Sequence, residues 1–519
     1  MGLVLLAAPA LAQKPGGTLR VVHRDSPPSA SIHEEATIST VMPFAGVYNN
    51  LVVFDVARDP QNKLENVVPE LATEWAWSED RRRLTMKLRQ GVRWHDGKPF
   101  TSEDVKCTWE QLIGQRDIGL RKNPRKSWYF NLKAVETAGP RDVTFVLGEP
   151  QPSFLAILAG GYSPVYPCHV NGARMRTNPV GTGPFRFGEF KQNEGMRIVR
   201  NPDYWRAGRV HLDAVEFTIM TNRATGILAF QSGRFDLSFS ADWPVHLGKE
   251  IQTQAPSVIC EAQTPNTQIN LLVNRDRPPF DNPDIRRAMN LALDRSAFVA
   301  VIGQGEARIG AMFLPPPNGV WGMPASELAQ VEGYEPDTPA RRAKAQALMA
   351  KHGYGANNPI KVIVSTRNIP VYRDPAVLLI DHLRHAFIEG ELEALDTPAW
   401  YVRMVKKDYQ VGMNAQGMGI DDPDTVLFEN FACGSERNYT NYCDAGTMAL
   451  LHQQSQILDF ATRRKLVWEI DKKLQEDGAR PVVMHTMAST CWWPQVKGVK
   501  LASNSIYNNW RFEDVWLDR

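Results

Sequence analysis

The chain has 519 residues, more than a single hydrophobic core usually supports, so two or three domains are expected. Its 59 basic and 57 acidic residues leave a formal charge of +2, a balance that provides no general field for nucleic acid or an anionic membrane. Leu3 to Ala12 is an apolar, small-residue run ending in Ala10-Leu11-Ala12 before Gln13. This is the pattern of a secretory signal and its cleavage site, although the usual basic residues ahead of it are missing. Residues 1–12 are therefore expected to be a signal remnant, with a soluble exported protein starting near Gln13. No later stretch approaches the roughly 18 consecutive apolar residues of a membrane span. Thr18 to Val22 reads as a strand, and Leu84, Met86 and Leu88 alternate with Thr85, Lys87 and Arg89 as in a half-buried one. Arg81-Arg82-Arg83, the densest basic cluster, precedes that strand and reads as a solvated turn. Thr101 with Asp104 three residues on is a capping-box pattern that should open a helix carrying Val105 and Trp109.

Asn282-Pro283 starts a second helix, with Ile285, Ala288, Met289, Ala292 and Leu293 on one face. Thr338-Pro339 opens a third, running through Leu348, which Gly353 can close. Strands are then predicted at about 360–365, 391–396 and 409–416, alternating with helices at about 375–388 and 398–408. This is a βαβαβ unit, a parallel sheet with helices on its faces. Open parallel sheets bind ligands beyond the carboxyl ends of their strands, which places two loops at a cleft, Thr366 to Arg373 and Gln416 to Asp422.

Six cysteines in an exported chain suggest disulfides. Cys433 and Cys443 are close enough in sequence to be expected as a pair, closing a short loop worth roughly 2–3 kcal/mol on the chain-entropy account. Cys107, Cys168, Cys260 and Cys491 cannot be paired from sequence. Signatures of catalysis are missing. His33-Glu34-Glu35-Ala36-Thr37 has Thr where a zinc-protease helix needs its second His, and His382 with His385 lacks a third ligand cluster. There is no G-x-S-x-G elbow, Walker loop or C-x-x-C pair, and neither metal nor cofactor is expected. A periplasmic hydrolase and a chaperone-like peptide binder remain as rival readings.

Several ordered blocks together resemble the family 5 extracellular solute-binding proteins, the group that includes dipeptide-, oligopeptide- and nickel-binding proteins. They are Pro69-Glu70-Leu71-Ala72 with Trp75; Leu88 through Phe100 to Glu103-Asp104-Val105; Asn178 to Phe185; Arg200 to Trp205; Phe280 to Ala288 with Asp294-Arg295; and Asp422-Pro423-Asp424 with Cys433 and Cys443. The resemblance implies an α/β, two-lobed periplasmic-binding-protein fold with an extra subdomain in the first lobe and a hinged cleft between lobes. Lobe I would span 13–270, with its subdomain at about 46–180, lobe II 271–493, and residues 494–519 would return to lobe I. It implies a monomeric binding component of an ABC importer that closes over a small-molecule or peptide ligand and delivers it to membrane permease subunits.

Candidate ligand-binding residues follow from the two cleft loops and the resemblance. Arg373, with Tyr372 beside it, stands near the arginine that holds a peptide carboxylate in the family and is expected to grip an anionic group. Trp400 and Arg403 open the next helix, and Asn414 and Gln416 approach the end of the third strand, one of them expected to face away. In peptide-binding members an Asp three residues before the Asp-Pro-Asp triplet holds the ligand's ammonium; here that position is Gly419. Asp421 is a neighbouring substitute, and Gly417 and Gly419 are expected to leave room for ligand. A ligand with an anionic group and no ammonium is the resulting expectation. On the first lobe, His33 and Glu34 are placed in the loop turned toward the cleft, and Trp492 near the return hinge.

Overall fold

The computed structural model describes residues 13–519 apart from residue 509. The signal segment expected at 1–12 lies outside the described residues.

Thr18–His23 pairs in parallel with Ala214–Ile219, which continues antiparallel to Gly195–Arg200 and Phe185–Lys191 in a four-stranded sheet. The alternation at Leu84, Met86 and Leu88 is realised in Arg83–Leu88, part of a separate antiparallel sheet, its apolar residues buried and its polar ones exposed. The helix Ser102–Ile113 covers that sheet. It starts at the predicted capping box and ends at Gly114, whose φ of 80° is the left-handed conformation in which glycine carries no Cβ penalty.

A second body is built on a five-stranded sheet in the order Ile388–Leu395, Ile360–Arg367, Val411–Gly417, Thr267–Val273, Val482–His485. The first three strands are parallel and are joined through helices Pro370–Leu383 and Thr397–Val405, so the βαβαβ unit is present; the last two run antiparallel to their neighbours. Asn282 caps the helix Pro283–Ala292 through its side chain, and Asp337 caps Thr338–Lys351, which runs three residues beyond the predicted Leu348 before Gly353 turns the chain at φ 81°.

The chain crosses between the bodies at residues 264–266 and returns at 486–487, where Thr486 N–H donates to Thr267 O at 2.8 Å. Just on the first-body side, Ile259–Gln263 pairs with Ala488–Trp492, and the Cys260–Cys491 disulfide ties these two strands at one register position. The second disulfide joins Cys107 to Cys168 and the third Cys433 to Cys443, as expected. Cross-linking residues 231 positions apart removes about 5 kcal/mol of unfolded-chain entropy on the loop-closure account, and it fixes the base of both crossing segments. Among the described residues no helix is long and apolar enough to cross a membrane.

Candidate functional site

The two bodies meet over a cavity of about 290 Å³, lined by residues from both and near the lower end of the range for small-molecule pockets. The second lobe contributes the ends of its sheet, as the parallel topology predicts: Arg367 from the end of Ile360–Arg367, Tyr372 from the first turn of the helix that follows, and Gln416 and Gly417 from the end of Val411–Gly417. The first lobe contributes Arg24, immediately after its first strand, and a segment from Ser240 to Leu247. Arg223 lines it from the start of a first-lobe helix, and Tyr507 from the C-terminal return.

A buried charge cluster ties the lobes beside this cavity. Arg367 Nη2 donates to Asp25 Oδ2 across the interface at 2.8 Å, and Thr397 Oγ1 donates to the same oxygen at 2.6 Å. Arg367 Nη1 reaches Tyr372 Oη at 2.7 Å, and Arg24 Nη1 reaches Asp242 at 3.1 Å. Burial alone would push the Asp25 carboxyl up, but the Arg367 and Arg24 guanidinium groups outweigh it and hold its pKa below the ordinary value. Burial likewise opposes the charge on Arg367, and Tyr372, Tyr401 and Asp25 reverse that, raising its pKa. The cluster is therefore an ion pair with its hydrogen bonds made, the condition under which a buried pair is tolerated. Tyr401 Oη adds a donation to Ala36 O at 2.9 Å, also from lobe to lobe.

The rest of the lining is short of acceptors. Arg24 Nε, Arg223 Nε, Arg437 Nε, Ser240 Oγ, Thr267 Oγ1 and His246 Nδ1 are buried and make no hydrogen bond within the protein, and all six belong to residues lining the cavity. Arg437 pairs with Glu429 at 2.5 Å through Nη1, and its pKa lies well above the usual value because Glu429 and nearby tyrosines outweigh burial. Buried polar groups are ordinarily paired, so a cluster of unbonded polar atoms around one space, three of them guanidinium nitrogens that can only donate, marks it as a place where a polar ligand is to be received.

Of the twelve candidate residues, Tyr372, Gln416 and Gly417 line the cavity. Arg373 does not: its side chain is 41 % exposed and binds Asn368 Oδ1 at 3.2 Å and its neighbour Asp374. Trp400 is fully buried in a core cluster with Leu272 and Met404, and Arg403 pairs with Glu393 at 2.5 Å. Asn414 and Gln416 are two apart on one strand and so share a face, contrary to the expectation that one turns away. Asn414 pairs in register with Asn270, away from the cavity lining, and the Gln416 amide lies between Glu429 and Arg480. Asp421 is held by Asn266 at 3.2 Å and Asn504 at 3.1 Å, its pKa pushed up to about 6 by burial. His33 bonds Pro164 O at 2.7 Å, its pKa lowered to about 3 by burial, while Glu34 accepts from Arg121 and Arg176; both brace the first lobe. Trp492 sits in a core strand. The space expected at Gly419 is taken by protein: a Cβ there would lie 2.4 Å from Trp128 Cη2.

Sequence reasoning missed Arg24, Arg223, His246 and Arg437, which no motif marks. Arg367 lies within the predicted cleft segment Thr366 to Arg373, six residues before the Arg373 expected to grip the ligand.

The sequence pattern of the bacterial extracellular solute-binding proteins, family 5, matches residues 66–438. The chain belongs to this family. A probable di/tripeptide-binding protein of Pseudomonas aeruginosa is 26 % identical, covering 96 % of this chain and 95 % of its own. Among solved structures, the periplasmic binding protein DppA of Helicobacter pylori with the peptide STSA superposes with a TM-score of 0.84 at 22 % identity, covering 98 % and 99 % of the two chains. The binding protein AgaA of A. tumefaciens R10 with agropinic acid gives 0.81 at 22 % identity, covering 97 % and 99 %. The family member described here is a two-lobed periplasmic solute-binding protein of an ABC importer, which binds its solute by interlobe closure, delivers it to permease subunits and catalyses no reaction.

Proposed function

We propose that the imported solute is a small organic molecule carrying an anionic group and no free ammonium, held in the interlobe cavity by Arg223, Arg437 and Arg24. The observation that carries this reading is the three guanidinium nitrogens on the cavity wall, Arg24 Nε, Arg223 Nε and Arg437 Nε, which make no hydrogen bond and can only donate. The buried carboxylates nearby are already engaged, Asp25 by Arg367, Asp242 by Arg24 and Glu429 by Arg437, and the half-exposed Asp374 on the cavity rim pairs with Arg373 at 3.3 Å. A ligand ammonium would find no free carboxylate among these, and Gly419 offers none at the position where peptide-binding members are expected to carry one. Among relatives, one is a di/tripeptide-binding protein and another structure holds agropinic acid, so the scaffold serves chemically different solutes.

The test is thermal unfolding of protein refolded free of ligand, against amino-free organic acids and phosphates on one side and di- and tripeptides on the other. A ligand at 100 times its dissociation constant raises stability by about 2.7 kcal/mol. Stabilisation by amino-free acids alone, reduced at least tenfold in affinity in Arg223→Ala, supports the reading. Stabilisation by peptides alone overturns it while leaving the transport role intact.

A further inference from the structure

The space between the lobes is not one chamber. Beyond the central cavity, a groove of about 370 Å³ runs between the first-lobe segment Lys126 to Phe130 and the second-lobe residues Phe428, Ala432 and Ser435. Between them, beside the segment from Ser435 to Arg437, runs a row of three aromatic rings. Tyr507 faces the central cavity, Tyr162 packs against it with ring centroids 4.7 Å apart, and Trp128 packs edge-on to Tyr162 at 6.0 Å. Trp128 belongs to the short 3-10 turn Lys126–Tyr129, whose other residues line the outer groove.

The row is held from both lobes. Trp128 Nε1 donates to Thr425 O of the second lobe at 3.0 Å. The Arg125 guanidinium lies 3.7 Å from the Tyr162 ring centroid and is fixed by Ile32 O at 2.7 Å and Glu35 O at 2.8 Å. The indole has its place because residue 419 is glycine, where any Cβ would meet its edge at 2.4 Å. A Cβ at Gly417, the last residue of the preceding strand, would likewise lie 3.0 Å from the Tyr507 ring.

We propose that Trp128, seated on Gly419, is the specificity-determining residue that sets the upper size of the solute, partitioning the interlobe space so that only molecules fitting the central cavity allow the lobes to close. This rests on the solute-binding reading and adds a size limit to it. A ligand extending past Tyr507 would have to displace an indole packed on both sides and hydrogen-bonded across the interface. Removing the indole would join cavity and groove and admit longer molecules.

The experiment uses N-acylglycines of increasing chain length, which carry a carboxylate and no free amine, with wild type, Trp128→Ala and the better-packed Trp128→Leu. The expected result is that the first acyl length rejected by wild type binds at least tenfold more tightly to the variants, while N-acetylglycine changes less than threefold. An identical length cut-off in all three proteins overturns the proposal. If no acylglycine stabilises any of them, the anionic-ligand reading fails, and the same cut-off comparison is made with glycine peptides of two to six residues. A crystal structure of Trp128→Ala decides independently of ligand: one continuous space supports the partition, and two spaces still separated by a refilled wall overturn it.

Discussion

Two buried arginine clusters in this molecule have the same chemistry and different consequences. Arg463 grips Asp422 with two nitrogens at 2.8 and 2.7 Å and reaches Asp424 at 3.1 Å, all within the second lobe. Arg367 grips Asp25 at 2.8 Å across the lobes. The Arg463 ion pairs are made when the second lobe folds, and the first lobe adds to them only through Ser153 Oγ and Gln151 Nε2, which donate to Asp424 Oδ2 at 2.6 and 3.3 Å. The Arg367 cluster exists only when the lobes meet, so its free energy enters the open-to-closed equilibrium and, through it, the affinity for solute. Location relative to the crossing segments decides whether a buried pair serves stability or binding.

The sharpest way to break this comparison is to truncate each cluster. Arg463→Ala leaves two buried carboxylates without their guanidinium and should cost about 3–5 kcal/mol of stability, read as a lowered denaturant midpoint. Asp25→Ala should leave the midpoint within about 1 kcal/mol, because Arg367 can hydrate in the open form, yet weaken solute binding roughly 30-fold or more by calorimetry, in line with the loss of about 2 kcal/mol or more for a buried cross-interface partner. Equal losses of stability in both variants would remove the distinction.

A buried acid without an arginine makes a third contrast. Asp471 accepts the Met312 N–H at 2.9 and 3.0 Å and a Gln475 amide at 3.1 Å, and burial, only partly offset by these bonds, raises its pKa to about 7. In the unfolded chain it titrates near its ordinary value of 3.8. Between about pH 4 and 7 the folded state binds the extra proton, so stability from this group falls as pH rises, by at most about 1.4 kcal/mol per pH unit. Asp471→Asn should remove that slope from urea titrations, and an unchanged slope would show that the acid is ionised throughout.

How much was legible follows the same division. The second lobe's face of the cavity could be read because local sequence carries it: a βαβαβ alternation fixes which strand ends border the interlobe space, and Tyr372, Gln416 and Gly417 line the cavity there. The first lobe's face could not, because its residues act through partners hundreds of positions away. Asp25 and Arg367 are 342 residues apart, and nothing around Arg24 or Arg223 marks them. Gly419 was legible as a departure from the family pattern but not its cause, since Trp128 lies nearly 300 residues upstream. Among helical residues, one position changed the outcome: Trp400 points into the core while Tyr401, about 100° around the helix, faces the cleft.

The choice between Arg367 and Arg373 gives the smallest expected effect and a direct check on this division. The strand runs to Arg367, two residues past its predicted end, and the helix starts at Pro370. Arg367 is thus delivered to the interface at a strand's carboxyl end, while Arg373, one turn into the helix, faces solvent beside Asp374. An exposed pair of this kind contributes little, so Arg373→Ala should change both solute affinity and stability by less than about 0.5 kcal/mol. A tenfold loss of affinity in calorimetry would instead mean that the helix start turns inward when solute binds, and that anion capture by the second lobe depends on a rearrangement rather than on the strand end.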